Sequence, residues 1–140
     1  MPSEATGAQA AGNAVHCMEI VFPHHCNHLG TLFGGQALAW MDKAAFLAAT
    51  RHTGHTVVTA RSERVDFRHS VALGAIVELV AEVVATGHSS LRVRVRLSSR
   101  AAPGAPAVLA TTGEFVMVAV DGEGRAVPVQ ADRPAAPMHG

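Results

Sequence analysis

Charge is sparse in this chain. Of 140 residues only 16% are charged, while 49% are hydrophobic. A small domain so lean in charge is expected to cover part of its surface with further copies of itself. Eleven basic residues balance eleven acidic ones, so no net field draws nucleic acid or an anionic membrane. Cysteine occurs only as Cys17 and Cys26, too few for a disulfide framework, and a reducing compartment suits them. Long apolar runs are missing too: Asp42 and Lys43 interrupt the one stretch that approaches the ~18 residues of a membrane span. The first fourteen residues have neither the basic start nor the apolar core of a signal peptide, so the expected location is the cytosol.

What is present divides into an arm, one domain and a tail. Residues 1–14 are small and polar without periodicity and read as a disordered arm. Residues 15–129 read as a single domain, and residues 130–140, rich in proline and alanine, as a flexible tail. Within the domain, His16 to Phe22 is a short strand candidate. From Gln36 to His52 the pattern is helical with apolar residues on every side, which predicts a helix buried all round. Gly54 supplies its C-terminal stop. After that the period changes from 3.6 to 2, and strands are expected over Thr56–Arg68, Ala75–Thr86, Leu91–Leu97 and Pro106–Val120. The architecture predicted is α+β: an antiparallel sheet curling around one long buried helix.

The chemistry centres on 27–52, NHLGTLFGGQALAWMDKAAFLAATRH. Gly34 and Gly35 sit where a loop becomes a helix, and glycine there lets a ligand approach the free amides of the first turn. Asp42 is the one acid inside the apolar helix. It follows Gly35 by seven residues, on nearly the same face and about 10 Å further along the axis. Amides that polarise an oxygen and a carboxylate that activates water form a hydrolase layout. The competing reading is structural: an Asp held by a neighbouring hydroxyl or by His52, and two glycines selected by tight packing. Asn27 either orients a water or carbonyl through its amide or merely makes a turn.

His24, His25, Cys26 and His28 match no well-defined zinc spacing, so no metal is expected, and nothing marks the Cys26 thiol as activated. Arg92, Arg94 and Arg96 form a ridge on one strand face. Cross-strand pairing with Glu78 and Glu82 accounts for most of it. A phosphate-bearing ligand, aided by Arg61, Arg64 or Arg68 on another strand, is the sharper account.

Taken in order, Asn27 with LFGGQALAWMD and AATRH, then VVTARSERVDF, HSVALGAIVEL, GHSSLRVRV and FVMVAVDGEGRAVPV, make the chain resemble the hotdog-fold acyl-CoA thioesterases, in the branch of cytosolic acyl-CoA and acetyl-CoA hydrolases. The resemblance spans roughly residues 16–129. It implies hydrolysis of acyl-CoA to a free acid and CoA, with Asp42 as general base or nucleophile, Asn27 orienting water or the thioester, and the Gly35 amide, next to Gly34, binding the carbonyl oxygen. It implies that Ala60, Arg61 and Ser62, with Ser89, Ser90 and Leu91, line the coenzyme A arm, and Gly34 and Arg64 are counted with them as expected substrate- or CoA-binding residues. It further implies a homodimer with active sites at the interface, Asn27 and Asp42 arriving from different subunits, in a trimer of dimers. Coenzyme A is part of the substrate, and no cofactor is expected. Phe33 stands where many relatives carry histidine, which sets aside a histidine-dependent hydratase. The alternative to an enzyme is a non-catalytic acyl-CoA sensor on the same fold.

Overall fold

The computed structural model describes residues 14–129; the arm at 1–13 and the tail at 130–140 lie outside the described residues. Ala14, assigned by sequence to the arm, is buried, and its carbonyl accepts a hydrogen bond from Arg51 at 2.5 Å. The elements run β1 (Val15–Ile20), a 3-10 turn (Pro23–His25), α1 (Gly34–Thr53), β2 (Thr56–Phe67), β3 (Ile76–Thr86), β4 (Ser90–Arg100) and β5 (Val108–Val120). All five strands join one antiparallel sheet in the order β1-β3-β4-β5-β2.

The alternation in the sequence becomes the two faces of this sheet. Leu91, Val93, Val95 and Leu97 of β4 are at most 1% exposed and form one core with Leu79, Phe115 and Met117. The helix meets that face through Ala37, Trp40, Met41, Ala44, Ala45, Ala48 and Ala49. Alanine at five of these positions brings the helix backbone close to the strands. Past the last turn, Gly54 adopts φ 74° and returns its amide to the Thr50 carbonyl at 2.8 Å, as its position predicted.

The helix is not buried all round. Gly35, Ala39, Lys43, Phe46 and Leu47 face away from the sheet, with Phe46 and Leu47 38% and 41% exposed. One sheet covers one side of a helix, so the apolar outer side remains uncovered within a single chain.

The arginine ridge also pairs differently from expectation. Arg96 alone reaches Glu82, at 3.9 Å, and Glu78 stands opposite Ser98. Arg92 and Arg94 turn the other way, to Glu114 of β5, because the register sets Glu63, Glu114, Arg94 and Glu82 in one row across four strands. β2 is an edge strand with register breaks between Thr59 and Arg61 and between Glu63 and Asp66. The second break holds Arg64 at φ 55°, a left-handed conformation that costs a non-glycine residue about 1 kcal/mol.

Candidate active site

Phe33 leaves the loop with extended backbone, and Gly34 opens α1. The amides of Gln36 and Ala37 both donate to the Phe33 carbonyl, at 2.9 and 3.1 Å, whereas those of Gly34 and Gly35 have no acceptor among the described residues. Two N–H groups at the positive end of a helix dipole are thereby left to bind an oxygen that gains negative charge. The Phe33 ring lies over this turn. A Cβ on Gly35 would stand 2.7 Å from its Cε2, so any larger residue there would push the exposed ring aside.

Two turns along, Asp42 is half-buried, not enclosed as the helical pattern suggested. A hydroxyl, one of its two expected partners, holds it: Thr59 Oγ1 donates to Asp42 Oδ1 at 2.6 Å. Thr59 stands opposite Met117, on the sheet face that carries the helix, with its Oγ1 3.6 Å from the Met117 sulfur. Nothing local marked Thr59 in the sequence, because the contact joins residues seventeen positions apart in two different elements. Gly35, Asp42, Thr59, Arg61 and Ser62 line one open pocket of about 370 Å³, walled by Leu38, Ala39 and Phe115.

Other sequence-derived candidates lie elsewhere in the chain. Gly34 borders a second cleft of about 330 Å³ with Leu32, Ala37, Phe67 and Val71. Asn27 is absent from both clefts. Its Oδ1 accepts from the amides of Leu29 and Thr31, at 2.9 and 3.2 Å, and from the Thr31 hydroxyl at 3.2 Å, so the side chain does shape the turn. That leaves its Nδ2 as the group without a bond among the described residues. Ala60 sits exposed at the first break in β2. Ser90 begins β4 and Ser89 lies in the bend before it, separated from Ala60–Ser62 by β5; Leu91, 1% exposed, is a core residue whose side chain faces the helix.

The histidine-rich loop is tied up internally. His25 Nδ1 accepts the Phe22 amide at 3.0 Å, its ring meets Trp40 edge-on at 4.9 Å, and Cys26 Sγ donates to the Phe22 carbonyl at 3.6 Å. Among the described residues no three His, Cys, Asp or Glu side chains converge as a metal site would require.

On the outer sheet face, Glu63 bonds to both Arg92 and Arg61, with Arg92 at 2.6 Å. Those two guanidiniums, Arg92 foremost, lower the Glu63 carboxyl to about 2. Glu63 and Glu114 raise Arg92 in return.

One long helix packed against a five-stranded antiparallel sheet is the arrangement of the hotdog fold. The chain belongs to the Thioesterase superfamily, which it matches over residues 29–101. It is 38% identical to mouse acyl-coenzyme A thioesterase 11 over 61% of its own length and 14% of that protein's. It is 35% identical to the uncharacterized acyl-CoA thioester hydrolase YkhA of Bacillus subtilis, over 78% of this chain and 63% of that one. The chain thus spans less than two thirds of either relative. An apo-hexameric acyl-CoA thioesterase superposes with a TM-score of 0.79 at 34% identity, covering 91% of this chain and 90% of that one. An asparagine-to-alanine mutant of a Staphylococcus aureus acyl-CoA hydrolase in complex with coenzyme A superposes at 0.77 with 31% identity, covering 90% of this chain and 81% of that one. Structures of that enzyme include single alanine replacements of an asparagine, an aspartate and a threonine, spaced along its chain as Asn27, Asp42 and Thr59 are here. No described helix is long and apolar enough to cross a membrane.

Proposed function

We propose that this protein hydrolyses acyl-CoA thioesters to a free carboxylic acid and CoA. The observation that carries the reading is the shared pocket of Gly35, Asp42 and Thr59, in which a residue with an unbonded helix-start amide and a hydrogen-bonded carboxylate border the same space. The thioester oxygen lies against the Gly35 amide, and Asp42 takes a proton from water as the water oxygen attacks the carbonyl carbon. The tetrahedral intermediate collapses with cleavage of the C–S bond, and the departing sulfur receives the proton to leave as CoA thiol. Thr59 is a positioning residue: it fixes the Asp42 carboxylate by donating to one oxygen, which leaves the other to meet the water.

Asn27 completes the site from a second copy. In this reading the Asn27 Nδ2 orients the water or the carbonyl in the partner's pocket, and the uncovered helix face with Phe46 and Leu47 is buried between copies. A hexamer built as a trimer of dimers accords with the hexameric state of two similar thioesterases. Arg61 and Ser62 border the pocket and receive the coenzyme A arm.

Thiol release from a panel of short, medium, long and aromatic acyl-CoAs tests the reading, with Asp42→Asn as control. Turnover is expected to fall by two orders of magnitude or more in Asp42→Asn while the assembly elutes unchanged. Undiminished turnover in that variant, or CoA-ester binding by the native protein without thiol release, refutes it.

A further inference from the structure

Two parts of the proposed site hang on His25, a residue that no step of the hydrolysis uses. Its ring and backbone bind three separate parts of the chain. Nδ1 accepts the Phe22 amide at 3.0 Å while the His25 amide donates to the Phe22 carbonyl at 2.9 Å, a reciprocal pair that closes the 3-10 turn over Pro23–His25. Glutamate or glutamine ordinarily reaches back in such a box, and here an imidazole does. The His25 carbonyl accepts the Phe33 amide at 2.9 Å, directly before the Gly34–Gly35 turn. Its ring meets Trp40 of α1 edge-on, with centroids 4.9 Å apart, and Trp40 is buried.

Asn27 depends on the same knot. The bridge between Cys26 and Leu32, and the bond from the Asn27 amide to the Thr31 carbonyl at 2.8 Å, make residues 25–33 a short hairpin whose open end is the His25–Phe33 bond. The Leu29 and Thr31 amides and the Thr31 hydroxyl hold Asn27 Oδ1 inside the turn, so its Nδ2 points wherever the hairpin is carried. A shift at His25 therefore moves both the Asn27 amide and the start of α1.

The bond to Phe22 also depends on charge. An imidazole accepts at Nδ1 only while that nitrogen carries no proton, so the neutral ring keeps its hydrogen on Nε2. Protonation sets an Nδ1 hydrogen against the Phe22 N–H, donor facing donor, and opens the box. Imidazole is the side chain whose ordinary change of charge falls between about pH 5 and 8. The titratable groups beside the ring are His24, with centroids 4.1 Å apart, and Cys26, whose Sγ donates to the Phe22 carbonyl at 3.6 Å; α1 brings the Trp40 indole against it.

We infer that His25 is a positioning residue for the hydrolysis: neutral, it holds the Asn27 hairpin and the start of α1 in their working placement, and protonated, it releases both, so turnover falls in mild acid. Its effect on turnover rests on the thioesterase reading; its hold on the hairpin does not.

Two variants of the full chain separate acceptor from ring. His25→Asn puts an amide oxygen where Nδ1 stands, two bonds from Cβ, and does not titrate. His25→Phe keeps a ring against Trp40 but has no acceptor. Thiol release is measured against pH in native protein and both variants, beside hydrogen exchange over residues 22–33 corrected for the intrinsic pH dependence of exchange. Between about pH 8 and 5.5, native kcat is expected to fall about tenfold with KM nearly unchanged, and the 22–33 amides to lose protection. His25→Asn should keep near-native kcat at the alkaline end and lose this acid limb, whereas His25→Phe should run about tenfold low throughout. Asp42 is common to all three proteins, so a limb of its own cancels. His25→Gln serves where His25→Asn does not assemble, since glutamine is an ordinary residue of the box. Coincident pH profiles in native protein and His25→Asn, or native-like turnover in His25→Phe, overturn the inference. So does protection of residues 22–33 that is equal at both ends of the range. Protection that falls in acid in native protein but not in His25→Asn, from a chain that releases no thiol, keeps the hold on the hairpin and refutes the thioesterase reading instead.

Discussion

Thr59→Val replaces the hydroxyl that holds Asp42 with a methyl group of nearly the same shape. The bond lost is 2.6 Å long, from a neutral donor to a carboxylate. Hydrogen bonds to charged groups contribute about 1.5–3 kcal/mol net. Thr59 is exposed and Asp42 half-buried, so water replaces the hydroxyl in the resting protein and the folding loss falls at or below the lower end, about 1.5 kcal/mol. Water does not hold the carboxylate in one orientation. If the bond serves to aim Asp42 at the attacking water, its energy is lost chiefly in the transition state. At about 1.4 kcal/mol per tenfold, kcat falls roughly 10- to 100-fold with KM nearly unchanged. The assay is thiol release under saturating acyl-CoA, with Thr59→Ser measured alongside because it keeps the donor. In an Asp42→Asn background the same substitution should have almost no further effect, since the two residues act as a unit. A kcat within twofold of native in Thr59→Val, or equal losses in Thr59→Val and Thr59→Ser, would refute the positioning role.

Three further outcomes are expected. Glu63 ionises at about 2 in the folded chain instead of its ordinary 4.5, so the stability it contributes is present above pH 4.5 and is lost as pH falls toward 2. The thermal midpoint of native protein should accordingly drop more steeply than that of Glu63→Gln between pH 4.5 and 2, and parallel curves would contradict the ion-pair assignment. Leu97→Ala, at a position with 0% exposure in the centre of the core, should cost about 2–5 kcal/mol in denaturant unfolding. Gly54→Ala places a Cβ on a residue at φ 74° and should lower stability by about 1 kcal/mol, with no effect on thiol release per folded molecule.

Much of the architecture was legible along the chain because each element repeats its own period. Alternation in β4 sent Leu91 to Leu97 inward and the three arginines outward, and the glycine after the last helical turn marked the C-terminal cap. The helix began two residues earlier than the apolar pattern indicated, since Gly34 and Gly35 have no hydrophobic side chain to register in a periodicity. The first strand stopped at Ile20 because Phe22 and Pro23 turn into the 3-10 segment that His25 locks from within.

The sequence by itself determined that an acid would lie in an apolar helix two turns after a glycine pair, because helical geometry converts a spacing of seven into one face. It also determined which strand faces are apolar, through their period of two. Only the tertiary structure decided what meets those faces. The Thr59 hydroxyl reaches Asp42 because β2 returns beside the helix, and Arg92 and Arg94 meet Glu114, with Arg92 also reaching Glu63, because β5 lies beside β4 with Glu114 opposite Arg94, whereas the β3 register sets Glu78 opposite Ser98. Local periodicity is written within one element, whereas strand order and register arise from how all five strands share a single core, and that sets which distant side chains meet.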